Sequence, residues 1–196
     1  MRHNLSDILQ LIRDRRSVSP DAFKKRAVQR DQLNAMLEAA NWAPTHGLTE
    51  PWRFKVYGGT SLRQLMEKLA SIYKAETPAS SFNPLKYQKF FDRADKVSTV
   101  ITVHMKRHPE KKVSEEDEVM AVACAVQNMA LVAAAYGMAL FWSTPKMMQH
   151  DDFQAFLGIE TPDRCLGILY IGYPDLPEWP KGRRNIWMNK VDWLVD

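Results

Sequence analysis

The stretch that most limits what this chain of 196 residues can fold into is Val119 to Met138. It is rich in alanine and apolar on almost every side, and a helix of that kind has no solvent face of its own, so it must be covered all round. Ahead of it, Ser114-Glu115-Glu116-Asp117 resembles a capping box, and Gly137 behind it is a stop, which predicts a helix over Glu118 to Tyr136. Gln127 and Asn128 lie side by side at its middle. Two adjacent amides argue against a lipid span and for a buried helix. In a chain this short, such a helix is either the centre of the core or the interface of an oligomer.

The rest of the composition fits a water-borne globular chain, with 45% apolar and 26% charged residues. The length suits one domain with a full core, and with no internal repeat we read residues 1–196 as a single domain. Residues 1–7 contain no apolar signal core. Cys124 and Cys165 are far apart, each in apolar sequence without a CxxC or a nearby histidine; both read as buried free thiols, which fits a reducing cytoplasm. Net charge is +4. That favours anionic partners, but the acidic residues are interspersed and leave no concentrated basic face, which argues against nucleic acid.

Periodicity supplies the other elements. Leu5, Ile8, Leu9 and Ile12 share one face of a helix over 5–14, capped by Asn4 or Ser6. Residues 20–30 read as a polar, basic surface connector. Asp31 is a cap for a second helix carrying Leu33, Met36, Leu37 and Ala40, which Pro44 stops. Trp52 to Tyr57 alternates with period two and is a half-buried strand. A helix over 61–73, strands over 97–105, 139–142 and 165–173, and a short helix over 151–157 follow. Residues 74–96 read as an irregular excursion, a candidate lid with a short helix near 87–91, and residues 174–196 as a C-terminal extension. Few strands and large helices imply an α+β fold, or three layers around a small sheet.

Signatures of independent chemistry are missing. There is no GxSxG, HExxH or P-loop, and no strand runs into a Gly-rich dinucleotide turn. The five histidines show no metal-ligand spacing, so no metal is expected; His104 reads as structural, His108 and His150 as solvated. If the chain is an enzyme, a cofactor carries its chemistry. Two basic clusters, Arg15-Arg16-Ser17 and Lys181-Gly182-Arg183, could converge on one phosphate, whose nearly two negative charges they match. Taken alone, the first cluster reads as a helix C-terminus whose cations suit the dipole. The loops at 42–52 and 142–145 hold aromatic rings able to sandwich a flat ligand. Together these are what flavin mononucleotide (FMN) requires.

Four motifs then carry a family resemblance. They are Arg15-Arg16-Ser17 after an N-terminal helix, Ala43-Pro44-Thr45-His46 leading to Glu50-Pro51-Trp52, Gln127-Asn128 in the long helix, and Gly167 to Pro174 followed by Lys181-x-Arg183. In this order they resemble the nitroreductase family of FMN-dependent NAD(P)H oxidoreductases, in its compact branch with Ala-Pro-x-His. The resemblance implies a three-layer fold with a small, mainly antiparallel sheet wrapped by helices. It implies a homodimer with the long helix at its interface and two FMN sites there. Arg15, Arg16 and Ser17 would hold the phosphate and ribityl side with Lys181 and Arg183. Trp42 and His46 would approach the flavin from the partner subunit, and Trp142, Ser143 and Thr144 would line the ring. No side chain is implied as catalytic, because flavin N5 takes hydride from NAD(P)H and passes electrons to a small-molecule acceptor such as a nitroaromatic or quinone. Two alternatives stay open: a flavin-binding protein of the same fold without general reductase turnover, and a cofactor-free basic interaction module. Neither nucleic acid nor membrane is an expected partner.

The chain departs from the family pattern at Leu48, where some branches have a polar asparagine, at Glu50, where glutamine is usual, and at Ser19, where a basic residue is frequent. A lost cation and an added carboxylate near the flavin disfavour its anionic reduced form. We therefore expect a two-electron potential below that of free FMN, and a redox titration that finds it higher would overturn this.

Overall fold

The computed structural model describes residues 3–195. Met1 and Arg2 lie outside the described residues, and with them part of the N-terminal stretch read above. The elements run α1 (Leu5–Asp14), α2 (Arg30–Asn41), β1 (Trp52–Tyr57), α3 (Gly59–Glu76), α4 (Pro84–Lys96), β2 (Thr99–Met105), α5 (Glu115–Ala135), β3 (Ala139–Ser143), α6 (Asp151–Leu157) and β4 (Arg164–Gly172). The four strands form one antiparallel sheet in the order β1-β2-β4-β3. Every residue of β2 is buried, because helices cover both faces of the sheet. On one face Ile101, Val103, Met105, Leu140, Leu169 and Ile171 pack with α2 and α5. On the other, Val100, Ala139, Ile168 and Tyr170 pack with α3, α4 and α6. The fold is the expected α+β arrangement in three layers.

The long helix begins where its cap predicts. The Ser114 hydroxyl accepts from Asp117 N at 3.0 Å while Asp117 returns a bond to Ser114 N at 3.3 Å. Gly137, at φ +70°, ends it. One buried ion pair fixes its entry. Arg107 Nη1 donates to Glu118 Oε2 at 2.6 Å, and the other carboxylate oxygen accepts from His108 N at 3.0 Å. At mid-helix, Asn128 Nδ2 donates to Ala39 O at 3.0 Å, tying α5 to α2. By length and composition α5 could cross a membrane, but eight of its residues are buried in this core.

Several expectations need correction. Helix α5 is not covered all round: Glu116, Met120, Cys124, Gln127 and Ala135 form an exposed stripe at helical spacing. Cys124 is therefore exposed, whereas Cys165 is buried, and both thiols are free. Residues 84–96 are a regular helix rather than an irregular excursion. Asn83 Oδ1 accepts from Leu85 N and Lys86 N at 2.9 and 3.2 Å, Pro84 takes the first helical position, and Tyr87, Phe90, Phe91 and Ala94 face the core. The charges between those aromatics hid the period. Helix α2 starts from Gln29, whose own backbone N–H is accepted by Gln32 Oε1 at 3.0 Å, and not from Asp31. Within the supposed surface connector, Pro20, Phe23 and Val28 are buried.

His104 is structural, as expected. It is buried on β2 with Nε2 2.7 Å from Thr102 Oγ1. Burial, and then the nearby Lys55 ammonium, push its pKa from 6.5 down to about 4. The unfolded chain therefore takes up this proton before the folded one does. The contribution of neutral His104 is full above about pH 6.5 and is lost as the pH falls towards 4. The loss is on the order of 3 kcal/mol. Denaturant unfolding measured at pH 7 and pH 4.5 should show a drop that His104→Gln largely removes.

Candidate functional site

The end of α1 and a segment some 165 residues later meet at one place. Trp179 Nε1 donates to Asp14 O at 2.6 Å, and Arg16 Nε donates to Pro180 O at 2.7 Å. Arg16 also donates from Nη1 to the carbonyls of Arg13 and, at 2.7 Å, Arg15. Its planar fork is thus engaged by backbone oxygens, and it acts as a clamp between the two segments. The approach is so close at Gly182 that a Cβ there would come within 2.6 Å of the Arg16 guanidinium carbon. Only glycine fits.

The two clamped segments, 15–17 and 180–184, carry five basic side chains, and the carboxylate of neighbouring Asp14 is turned to Gln10 Nε2 at 2.8 Å. Burial, then the guanidinium groups of Arg184 and Arg16, lower the Arg15 pKa below its ordinary value. Among the described residues, none of Arg15, Arg16, Lys181, Arg183 and Arg184 makes an ion pair with a carboxylate. Like charges held together without a counter-ion make a site for an anion. Arg184 is the residue that sequence reasoning missed. Its signal was present in the doubled Arg183-Arg184, but only the structure turns it towards Arg15. Ser17 is exposed on the strand-like segment that leaves the clamp.

Trp142, Ser143 and Thr144 lie at the end of edge strand β3. Between Val103 and His104 the β2–β4 register shifts by one residue, which leaves Leu166 without a β2 partner. The freed Leu166 carbonyl accepts from Trp142 Nε1 at 3.1 Å. A side chain at position 167 would run into the indole, so Gly167 lets the ring lie flat on β4 and the register shift fixes it there.

Trp42 and His46 are elsewhere. The Arg15 clamp adjoins the C-terminal end of α5, where Leu11, Asp14, Ala134, Gly137 and Trp179 line one cavity. His46 sits at the opposite end, with Nδ1 3.4 Å from Asp117 Oδ2. Helix α5 has 21 residues, so the two groups are separated by roughly 30 Å. Trp42 is 80% exposed and Leu48 82% exposed. The loop from Trp42 to Glu50 is held in an unusual backbone, with Leu48 at φ +52° and Glu50 at φ +43°. Such a conformation costs on the order of 1–3 kcal/mol per residue. Thr45 Oγ1, accepting from Glu50 N at 3.2 Å, and Arg53 Nη1, donating to Glu50 O at 2.8 Å, hold it. Trp42, Leu48 and Glu50 border a small cavity of about 320 Å³.

Of the two histidines read as solvated, His150 is half-buried. Its Nδ1 accepts from Asp152 N at 3.2 Å and caps α6, while its Nε2 lies 3.2 Å from Glu76 Oε1. His108 is also half-buried, with Nδ1 accepting from Glu110 N at 3.2 Å.

Known proteins share this architecture. The sequence profile of the nitroreductase family matches residues 12–173, so the chain belongs to that family. It is 29% identical over 174 residues to the Bacillus subtilis protein named "Putative NAD(P)H nitroreductase YfhC", covering 88% of this chain and 87% of that one. It is 28% identical over 170 residues to the similarly named YdjA of Escherichia coli K12, covering 87% and 90%. Among solved structures it resembles the nitroreductase-like family protein of Bacillus cereus, with a TM-score of 0.80, 27% identity and complete coverage of both chains. It also resembles the FMN-dependent nitroreductase NfnB of Mycobacterium smegmatis solved in complex with NADPH, with a TM-score of 0.76 and 19% identity over 98% of this chain and 100% of that one.

Replacing Arg16 by Ala removes its bonds to three carbonyls. The change should lower the unfolding free energy by about 1–3 kcal/mol and free residues 177–186 for limited proteolysis. Unchanged protease resistance of that segment would show that Arg16 is no clamp.

Proposed function

We propose that the protein is an FMN-dependent oxidoreductase that passes hydride from NAD(P)H, by way of the bound flavin, to a small-molecule acceptor such as a nitroaromatic or a quinone. Membership of the nitroreductase family supports this class of activity. The observation that carries the flavin reading is the convergence of Arg15, Arg16 and the 180–184 segment on one place with no carboxylate to neutralise them.

The donor set fits FMN. A phosphate monoester carries nearly two negative charges near neutral pH, and Arg15 with Arg184 supplies two unneutralised guanidinium groups, while Arg16 keeps the two segments together. Ser17, Lys181 and Arg183 complete the polar end. Trp142, Ser143 and Thr144 wall the ring in this reading. Bound FMN supplies two-electron hydride chemistry at N5. The protein's part is to fix the phosphate, hold the ring plane and exclude water.

His46 belongs to the same site only across a dimer, because an α5 length separates it from the phosphate end of its own chain, and in this reading Trp42 joins it from the partner. The surface supports this second copy. Helix α1 buries none of its residues, and its apolar face leaves Leu5, Ile8, Leu9 and Ile12 more than 40% exposed. The C-terminal extension presents Ile186, Trp187, Met188, Trp193 and Leu194, and α5 presents its stripe. Exposed apolar side chains in this number favour an interface. We infer a homodimer with α5 at its centre, from a single domain spanning residues 1–196. The free thiols, one of them exposed, fit a cytoplasmic setting.

An absorbance spectrum of the purified protein tests the reading directly, with a flavin signature expected and FMN as the extracted chromophore. Arg15→Ala and Arg183→Ala should each weaken FMN retention by about 1–3 kcal/mol, and the solution mass should be that of a dimer at micromolar concentration. A colourless monomer would refute the proposal.

A further inference from the structure

A cavity of about 650 Å³ lies between the end of α3, the start of α4 and the segment after β3. It shares Thr144 with the wall proposed for the flavin ring and extends from there past Lys146 and His150 to Tyr73, Glu76 and Lys86. Its size is that of a small-molecule site.

The cavity has a rigid apolar side. Tyr73 is buried, stacks on Phe82 with centroids 5.6 Å apart, and accepts from Asn83 N at 3.0 Å through its hydroxyl. Asn83 in turn caps α4, so the ring and the helix that carries Lys86 are fixed together. The Lys86 ammonium sits 4.7 Å from the Tyr73 ring centroid. The polar side is cationic. Among the described residues, neither Lys86 nor Lys146 has a carboxylate within ion-pair distance. The one acid on the wall, Glu76, is engaged by His150 at 3.2 Å. His150 Nδ1 already accepts a backbone N–H, so Nε2 carries the proton and donates to Glu76. Glu76 keeps its charge in that bond, so the wall holds two ammonium groups, neither ion-paired, against one carboxylate turned towards His150.

We propose that this cavity receives the phosphate-bearing end of the nicotinamide nucleotide, with Lys86 and Lys146 as its phosphate contacts and with Tyr73 holding Lys86 in place. The inference rests on the flavin reading, which puts the reacting ring on the far side of Thr144. Of the two substrates in that reading, quinones and simple nitroaromatics are uncharged, whereas the nucleotide carries phosphates; unpaired cations select the charged one. A lysine ammonium on a flexible stem suits a phosphate as a point-charge contact. The shared chemistry is a phosphate group, which NADPH offers as a 2′-monoester and both nucleotides offer as a pyrophosphate.

The test compares the wild type with Lys86→Ala, Lys146→Ala and the conservative Lys86→Gln, with Lys112→Ala as an exposed-charge control. KM for NADH and NADPH is measured at saturating acceptor, alongside calorimetric titration with NAD+ and NADP+, which reads nucleotide binding whether or not flavin is present. Each loss of a charge-assisted phosphate contact should raise KM and Kd about tenfold or more, leaving kcat and the acceptor KM near the wild-type values. A rise confined to the 2′-phosphorylated nucleotide assigns the site to the monoester, and an equal rise for both assigns it to the pyrophosphate. Unchanged nucleotide KM and Kd in both lysine variants would overturn the proposal, as would a rise in the acceptor KM alone. The flavin spectrum of each preparation reports separately on the flavin reading itself.

Discussion

Everything else in this molecule is arranged around the need to cover α5. A helix with almost no polar face loses free energy wherever it meets water, and at roughly 25 cal/mol per Å² of apolar surface the loss is large over 21 residues. The sheet covers one side and α2 packs alongside. The buried Arg107–Glu118 pair and the Asn128 amide add directional bonds that set where the helix starts and which way it is turned. The stripe through Met120 and Cys124 is left over. A single chain of this length has no remaining layer to place on it, and the same is true of the apolar face of α1. In the dimer proposed above, a second copy supplies that cover.

The same helix also measures the site. It sets the Arg15 clamp at one end and His46 at the other, too far apart for one small ligand. A flavin that uses both must lie between two copies. The features that make the clamp are electrostatically unfavourable in isolation, because the guanidinium groups of Arg15, Arg16 and Arg184 lie close together and none is ion-paired with a carboxylate. The strained Leu48–Glu50 backbone is a second unfavourable feature, placed beside exposed Trp42. Such costs concentrate where a ligand or partner later offsets them.

Much of this was legible in the residues. Strand β1 begins and ends where its alternation predicts, α6 matches from Asp151 to Leu157, and the Ser114 cap and Gly137 stop of α5 are local signals that depend on a few neighbouring side chains. The meeting of Arg15-Arg16-Ser17 with Lys181-Gly182-Arg183 was also anticipated, from the charge of the two clusters and from motif order. Misreadings arose where a local signal had a competitor. Asp31 looked like a cap, but Gln29, two residues earlier, takes that place with its N–H accepted by Gln32. The aromatic period of α4 was masked by lysines and aspartates on its outer face. Cys124 looked buried because its neighbours in sequence are apolar, whereas burial depends on which side of the helix it occupies.

The sequence by itself determined most of the elements, the cap and stop of α5, and the family, because hydrophobic period, capping chemistry and motif order are short-range or linear properties of the chain. Only the tertiary structure decided that α5 keeps an exposed stripe and that Arg16 spends its donors on backbone carbonyls. It alone brought in Arg184 beside Arg15, and it alone opened a cationic cavity behind Thr144. Each of those depends on which residues become neighbours in space, and that is fixed by the packing of both faces of the sheet rather than by any single segment.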